Sequence, residues 1–161
     1  MINKRTLLEA IINRLTAELA LLTNAALATY SEATDEQNKA ENKYDTRGLE
    51  ASYLARGQSK VVDEAAGALA QFRALVIHDA APGEPVALGA LVAVADSAGQ
   101  TNFYFVGPHS GGTEVEHEGH TVMVITPSSP LGRQLVGKKQ GEKVQLEFGG
   151  RRSDFQVVQV K

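Results

Sequence analysis

The sequence predicts an α+β protein in which a long helical hairpin precedes a small sheet that carries one short helix. Three observations support this fold class. The segment from Arg5 to Ala33 contains neither glycine nor proline. After Phe72 the spacing of apolar residues changes from a helical period to the alternation that is typical of strands. A short helix with its own start and stop signals then follows Ser129.

The first predicted helix is amphipathic. It consists mainly of alanine, leucine and glutamate, which lose little side-chain freedom in a helix. Its large apolar residues recur on one face: Leu8, Ile11, Ile12, Leu15, Leu19 and Leu22. A helix of about 28 residues is roughly 40 Å long, which exceeds what a domain of this size accommodates internally. We therefore expect this helix to pack against a partner helix.

The second predicted helix runs from Leu49 to Phe72, where the apolar pattern resumes. Gly57 weakens it by up to about 1 kcal/mol relative to alanine, so a break is allowed there. The intervening residues 31–45 contain no large aliphatic side chain. Two helices joined by a short polar turn pack antiparallel, as in a coiled coil.

The second half predicts a curved antiparallel sheet. Residues 74–79 form only a short apolar run, and residues 108–119 have the composition of a loop. The last strand pattern is a β-hairpin around Gly149 and Gly150. Strand patterns occupy residues 87–99, 101–107, 120–127 and 143–160.

One short helix lies between these strands, and both of its ends are predicted by sequence. Ser129 suits the cap position because its hydroxyl accepts hydrogen bonds from the first helical N–H groups. Pro130 suits the next position, where a missing N–H costs nothing. Gly137 permits the left-handed conformation that ends a helix, and Lys138 and Lys139 complement the negative end of its dipole. The inward face is formed by Leu131, Leu135 and Val136.

These patterns divide the chain into two predicted domains. The hairpin occupies residues 1–73, with an acidic tip near residues 31–47. The sheet and the short helix form a compact domain over residues 74–161.

The composition excludes several function classes. The formal net charge of −3 gives no global attraction for nucleic acid, although a local basic face is still compatible with it. The absence of cysteine excludes disulfides, cysteine nucleophiles and thiolate zinc sites. The spacing of His78, His109, His117 and His120 matches no zinc motif. No segment is apolar enough to span a membrane, so we expect a cytoplasmic protein.

The stretch from Ser129 to Val144 resembles the GreA/GreB family of bacterial transcription elongation factors. That family carries the pattern Ser-Pro-aliphatic-Gly/Ala-x-x-Leu-aliphatic-Gly-Lys. The matching residues are Ser129, Pro130, Gly132, Leu135, Gly137 and Lys138. The resemblance covers essentially the whole chain, with the hairpin first and an FKBP-like domain second. Glu41 and Asn42, followed by Tyr44, also resemble the Glu-Asn-x-x-Tyr that follows the family's tip, with the tyrosine one residue early.

The resemblance implies that RNA polymerase is the partner. Factors of this family dock the C-terminal domain at the rim of the polymerase's secondary channel, and the coiled coil extends towards the active site. The protein is then no enzyme but an accessory that stimulates the polymerase's own cleavage of backtracked RNA. The transcript 3′ end is contacted only indirectly. Residues assigned to the RNA or the channel wall are Lys39, Lys43, Arg47 and Arg56.

The resemblance also implies a magnesium ion that is shared with the polymerase active site and not bound stably by this chain. Two tip carboxylates would hold it, because Mg²⁺ prefers one or two carboxylates together with water and phosphate oxygens. On this sequence Glu41 is one of them, and Asp35 or Glu36 would supply the other if the turn is built differently.

The tip departs from the family's Gly-Asp-x-x-Glu-Asn pattern. Aligning Glu41 with its glutamate places Gln37 at the glycine and Asn38 at the aspartate. An amide carries no charge and is a weaker Mg²⁺ ligand than a carboxylate. The alternative function is therefore a regulator that binds the channel without stimulating cleavage. Residues 31–45 are equally compatible with a solvated turn, since turns are polar for reasons unrelated to function.

Two other function classes compete with this interpretation. An FKBP-like domain suggests a prolyl isomerase, but isomerase pockets are lined by aromatic residues and this chain has no tryptophan. A coiled-coil adaptor would pair its hairpin with a second copy through the face from Leu8 to Leu22. For the leading function we expect a monomer or a weak dimer.

Overall fold

The computed structural model describes residues 2–34, 47–148 and 150–161. The elements in chain order are α1 (Lys4–Thr34), α2 (Arg47–Ala74), β1 (Leu91–Asp96), β2 (Thr101–Val106), β3 (Glu114–His117), β4 (His120–Ile125), α3 (Pro130–Leu135), β5 (Lys143–Phe148) and β6 (Arg151–Val160). Long helices fill the described part of the first half, and the strands with one short helix fill the second. The predicted α+β class is confirmed.

Helices α1 and α2 occupy the two predicted helical segments. Ile11 and Leu15 of the predicted apolar face are buried. Helix α2 is continuous through Gly57, so the break allowed there does not occur. A Cβ built on Gly57 would meet no atom within 4 Å, and hence no close contact requires glycine at that position. The predicted tip at residues 35–46 lies outside the described residues.

A strand lies within the segment that was predicted to be a loop. Residues 114–117 form β3, which pairs antiparallel with β4 from Glu114↔Met123 to His117↔His120. Glu118 and Gly119 both have positive φ, 50° and 77°, and connect the two strands. Such two-residue turns match the twist of a β-hairpin. The loop prediction for residues 108–119 is therefore wrong over its second half.

The sheet is mixed and not wholly antiparallel as predicted. Its strand order is β3-β4-β2-β1-β6-β5. Strands β2 and β4 run parallel, from Phe103↔Val122 to Val106↔Ile125. The prediction failed here because the unrecognised strand β3 lies between β2 and β4 in the chain and adds one reversal of direction.

Buried side chains project from both faces of the sheet. One face belongs to a core that includes α3 and consists mainly of alternate strand residues. Its members are Val86, Ala90, Val92, Val94, Tyr104, Val106, Ile125, Leu135, Val144, Leu146, Phe155 and Val157. The intervening strand residues Leu91, Phe105 and Val124 are also buried, and point to the other face because side chains alternate along a strand.

The chain divides into two compact units. One contains Met1–Ile12 and Gln71–Lys161, and the other contains Asn13–Ala70. The first unit thus includes the start of α1 and the end of α2. Phe72 is fully buried, and its Cζ lies 2.6 Å from where a Cβ on Gly107 would stand. We call the first the sheet unit and the second the helical unit.

A buried lysine anchors the start of α1 within the sheet unit. The Lys4 side chain is only 4% exposed, and its Nζ donates to the carbonyl oxygen of His78. Nearby, Nε2 of His78 lies 2.9 Å from Oε1 of Glu84. Burial lowers the pKa of Lys4 from its ordinary value of 10.5, and the negative charge of Asp79 opposes this shift only in part.

We predict that Lys4 makes the protein's stability rise with pH on the alkaline side. Because the folded-state pKa is below 10.5, the unfolded chain binds more protons than the folded chain between these two values. The free energy of unfolding of the wild type should therefore increase relative to that of Lys4→Met as pH rises from the folded-state pKa towards 10.5. Urea unfolding across this pH range measures the difference between the two proteins.

Lys60→Met is the matched control, since the Lys60 side chain is 79% exposed on α2. It should show no such pH-dependent difference from the wild type. A difference between wild type and Lys4→Met that stays constant with pH would contradict the assignment.

Candidate functional site

The structure does not describe the predicted tip. Glu41, Asp35, Glu36, Lys39 and Lys43 all lie outside the described residues, so their roles stay predictions. Of the basic residues assigned to the RNA or the channel wall, Arg47 is the first residue of α2 and Arg56 is exposed on the same helix. The other predicted site, the family motif around α3, is described in full.

The start of α3 is fixed by Ser129, as predicted. Ser129 has extended backbone angles, φ −66° and ψ 157°, and its Oγ accepts a hydrogen bond of 3.0 Å from the Gly132 N–H. The same hydroxyl donates to the carbonyl oxygen of Thr126 at 2.8 Å. Pro130 follows as the first helical residue. The Ser129 hydroxyl is thus engaged both as donor and as acceptor.

Gly132 is required by the close approach of the chain to itself. A Cβ at this position would lie 1.8 Å from the carbonyl oxygen of Thr126, a distance that no pair of non-bonded atoms tolerates. The conflict is with backbone and not with a flexible side chain, so it cannot be relieved by a rotamer change. This contact explains the glycine in the motif.

The end of α3 is tied to the segment that precedes β1. Gly137 has φ 87°, and its N–H donates to the Val86 carbonyl at 2.8 Å. In return the Val86 N–H donates to the Lys138 carbonyl at 2.7 Å. Leu135, the last residue of α3, is fully buried in the core. The predicted stop at Gly137 is confirmed.

A groove of about 620 Å³ lies beside the start of α3. It is lined by residues 108–112 before β3, residues 123–126 at the end of β4, residues 128–131 at the start of α3, and Glu147 of β5. Met123 and Leu131 are partly buried and pack against the core as well as lining the groove. The family motif therefore forms one wall of an open, largely apolar concave surface.

The loop wall of the groove has a strained conformation. Ser110 has φ 58°, which is uncommon for a residue other than glycine, whereas Gly112 adopts its φ of 92° without strain. The wall is held in place because the Gly112 N–H donates to the Val124 carbonyl and the Val124 N–H donates to the Thr113 carbonyl, each at 2.8 Å. Strained backbone of this kind concentrates at functional sites.

The chemistry of the groove favours binding over catalysis. Ser129 is occupied by its two local hydrogen bonds, and the Ser128 hydroxyl lies 3.4 Å from that of Thr126. No phenylalanine, tyrosine or tryptophan is among the described residues that line it, which disfavours a prolyl isomerase pocket. Across residues 2–34, 47–148 and 150–161, no three His, Asp or Glu side chains are grouped to hold a metal ion.

The four histidines make different contacts, although His117 and His120 are paired across the β3–β4 hairpin. His109 lines the groove. His117 has its Nε2 2.9 Å from Oγ1 of Thr6, and His78 lies beside Glu84. The ring of His120 packs against that of Phe103 with centroids 4.7 Å apart.

Sequence reasoning missed three walls of the groove. Only residues 129–131 belong to the recognised motif. Residues 108–112 were predicted as a loop, but nothing in the sequence placed that loop next to α3. The Gly-Gly of residues 111–112 was the available signal, because glycine adopts positive φ readily.

The C-terminal half matches a family model described as transcription elongation factor, GreA/GreB, C-term, over residues 81–161. This is just over half of the 161-residue chain and includes the whole groove. No helix in the described part of the chain is long and apolar enough to cross a membrane.

Similarity to individual proteins extends over the helices as well. The transcription elongation factor GreA of Rhodospirillum rubrum is 29% identical over 155 residues, which cover 92% of this chain and 91% of that protein. Among solved structures, the GreA factor homolog 1 (Gfh1) of Thermus thermophilus is 22% identical, with a TM-score of 0.41 and coverage of 93% and 94%. The GreA/GreB factor of Nitrosomonas europaea is 20% identical, with a TM-score of 0.37 and coverage of 70% and 91%.

We predict that Gly132→Ala destabilises the sheet unit by more than about 2 kcal/mol, at the upper end of overpacking costs. The new methyl group overlaps the Thr126 carbonyl oxygen and forces α3 and the Thr126 backbone apart. Urea unfolding measures the loss. Gly67→Ala is the control, because a Cβ there meets nothing within 4 Å, and it should instead stabilise α2 by about 0.5–1 kcal/mol. Equal stabilities of Gly132→Ala and the wild type would contradict the close contact.

Proposed function

The chain belongs to the GreA/GreB family of transcription elongation factors, and from this premise we propose that it binds RNA polymerase through the groove beside α3 and extends its helical hairpin into the secondary channel. The chain is a transcription elongation factor that acts on RNA polymerase. One observation carries the proposed binding site: the family's match, residues 81–161, contains every described residue of the groove.

The groove suits a protein partner. A concave surface with apolar walls buries apolar area on association, which is the main favourable contribution to binding. Its walls are fixed in advance by the Ser129 and Val124 hydrogen bonds, so little conformational freedom is lost when a partner docks. The Ser129 hydroxyl is engaged locally, which favours recognition by shape and apolar contact.

For the hairpin we propose an accessory role in transcript cleavage. Glu41, with Asp35 or Glu36, would supply carboxylate oxygens to a magnesium ion shared with the polymerase active site. Such an ion activates water for hydrolysis of a phosphodiester. The protein would contribute ligands and hold no cofactor of its own. In this proposal the polymerase itself catalyses the cleavage.

The second candidate is a regulator that occupies the channel without stimulating cleavage. Asn38 favours it, because the family resemblance places an aspartate at that position and an amide carries no charge. In either case the basic residues along the hairpin would contact the channel wall or the 3′ segment of the transcript. These are Lys39, Lys43, Arg47 and Arg56. We further propose that the factor acts in the cytoplasm as a monomer or a weak dimer.

We predict that Pro130→Ala weakens binding to purified bacterial RNA polymerase about ten-fold. The change removes two carbons from an exposed residue of the groove, each worth about 0.8 kcal/mol when buried by a partner. Fluorescence anisotropy of the labelled factor measures the Kd. Val158→Ala is the matched control, since it removes two carbons from a 38% exposed residue of β6 outside the groove. Equal loss in both variants would place the docking surface elsewhere.

We predict that replacing Glu41 and Asp35 together by alanine abolishes stimulated cleavage and preserves binding. The measurement is the rate of RNA shortening in a stalled, backtracked complex at saturating factor, and the expected fall is about ten-fold or more, or 1.4 kcal/mol in activation free energy. The anisotropy Kd should change little. If the wild type itself produces no shortened RNA although it binds, the occupancy-only regulator is the correct function.

A further inference from the structure

Strand β5 lies at one edge of the sheet and pairs with a single strand, β6. The Val157 N–H of β6 donates to the Glu142 carbonyl at 2.9 Å, so the backbone groups of Val157 point towards β5. In an antiparallel pair, residues whose backbone groups bond across the ladder alternate with residues whose groups point away from it. The β5 residues whose N–H and C=O groups face away from β6 are therefore Lys143, Gln145 and Glu147.

These outward backbone groups have no hydrogen-bond partner in residues 2–34, 47–148 and 150–161. Gln145 and Glu147 make their contacts through side chains alone. Nε2 of Gln145 donates to Oδ1 of Asp154 at 3.0 Å, and Oε2 of Glu147 lies 3.6 Å from Nε of Arg152. An edge strand with a row of unpaired N–H and C=O groups is a template for pairing with another strand.

The side chains of β5 are divided between two faces. Val144 and Leu146 belong to the core that includes α3. Lys143, Gln145 and Glu147 project from the opposite face and are exposed, because side chains alternate along a strand. A strand that adds to this edge would therefore meet a positive charge near one end of β5, a negative charge near the other end and an amide between them.

We propose that β5 pairs antiparallel with β5 of a second copy of this chain, with Gln145 opposite Gln145. In this register Lys143 of each copy lies directly opposite Glu147 of the other. The three outward residues of each copy then all form hydrogen-bonded pairs, and opposite charges meet at both ends of the pairing. This association does not depend on the proposed binding of RNA polymerase.

Charge complementarity singles out this register. A shift by two residues places Lys143 or Glu147 opposite Gln145 and leaves the other charged residue without a partner. Parallel pairing in register would place Lys143 beside Lys143. Opposite charges directly across a ladder stabilise it, and like charges destabilise it. A lysine on an edge strand commonly keeps other strands away, but here a second copy supplies the carboxylate that pairs with it.

The rival mode of self-association uses the helical unit. Leu21 of α1 and Tyr53 of α2 are 70% and 61% exposed, and both are large apolar residues. A dimer formed through such residues would be insensitive to charge changes on β5. The rival is therefore one outcome of the test.

The test is sedimentation velocity of the full-length protein over a concentration series up to about 1 mM. Lys143→Glu places glutamate opposite glutamate at both ends of the pairing, and Glu147→Lys places lysine opposite lysine. An equimolar mixture of the two variants restores opposite charges at both ends. Glu114→Lys is the matched control, because Glu114 is exposed on β3 at the other edge of the sheet.

A further variant, Gln145→Pro, tests the backbone pairing itself. It removes the central outward N–H and leaves the β5–β6 hydrogen bonds in place, since edge strands accept proline on their free side. Circular dichroism should show all variants folded, because every substituted residue is exposed.

The proposal expects a wild-type dimer whose Kd rises about ten-fold in each single charge variant and returns to within about three-fold of the wild-type value in the mixture. Glu114→Lys should leave the Kd unchanged, and Gln145→Pro should abolish the dimer. The effect of the charge variants should shrink at about 0.5 M salt, because salt screens exposed charges.

Three results would overturn the proposal. A wild type that stays monomeric throughout the series shows that the edge does not pair with itself. A dimer that is equally stable in every variant is formed through another surface, such as the helical unit. A mixture that associates no better than the single variants contradicts the register in which Lys143 faces Glu147.

Discussion

The carbonyl oxygen of Thr126 occupies the space that any residue other than glycine at position 132 would need for its Cβ. The same oxygen accepts hydrogen bonds from the Ser129 N–H at 3.0 Å and from the Ser129 hydroxyl at 2.8 Å. A six-residue helix is too short to be stable by its own backbone bonds. Helix α3 therefore depends on this contact at one end, and on Leu135 and the Gly137–Val86 hydrogen bond at the other.

This contact also determines what the groove is able to do. The Ser129 hydroxyl is the most obvious nucleophile of the motif, and it is occupied by the two hydrogen bonds that fix the helix. What faces outward is a largely apolar surface whose walls are held by backbone hydrogen bonds. Such a surface suits the burial of apolar area against a partner. This agrees with the proposed function, in which the sheet unit docks and residues of the hairpin act.

Local signals made α3 predictable from sequence, but no local signal predicted the groove. Ser129, Pro130 and Gly137 each act on their immediate neighbours, so the cap, the first turn and the stop were all foreseen. Strand β3 is only four residues long, and its pairing with β4, like the parallel pairing of β4 with β2, depends on contacts that no short pattern records. The predicted tip residues lie outside the described part of the chain and stay predictions.

Hydrogen–deuterium exchange of the full-length protein, free and with saturating RNA polymerase, tests the central claim most directly, which is that the groove is the docking surface. Backbone amides of residues 108–112 and 123–131 should exchange more slowly in the complex. Amides of the β1–β2 turn at residues 96–100, which lie outside the groove, should be unchanged. Formation of the complex with unaltered exchange around the groove would contradict the account.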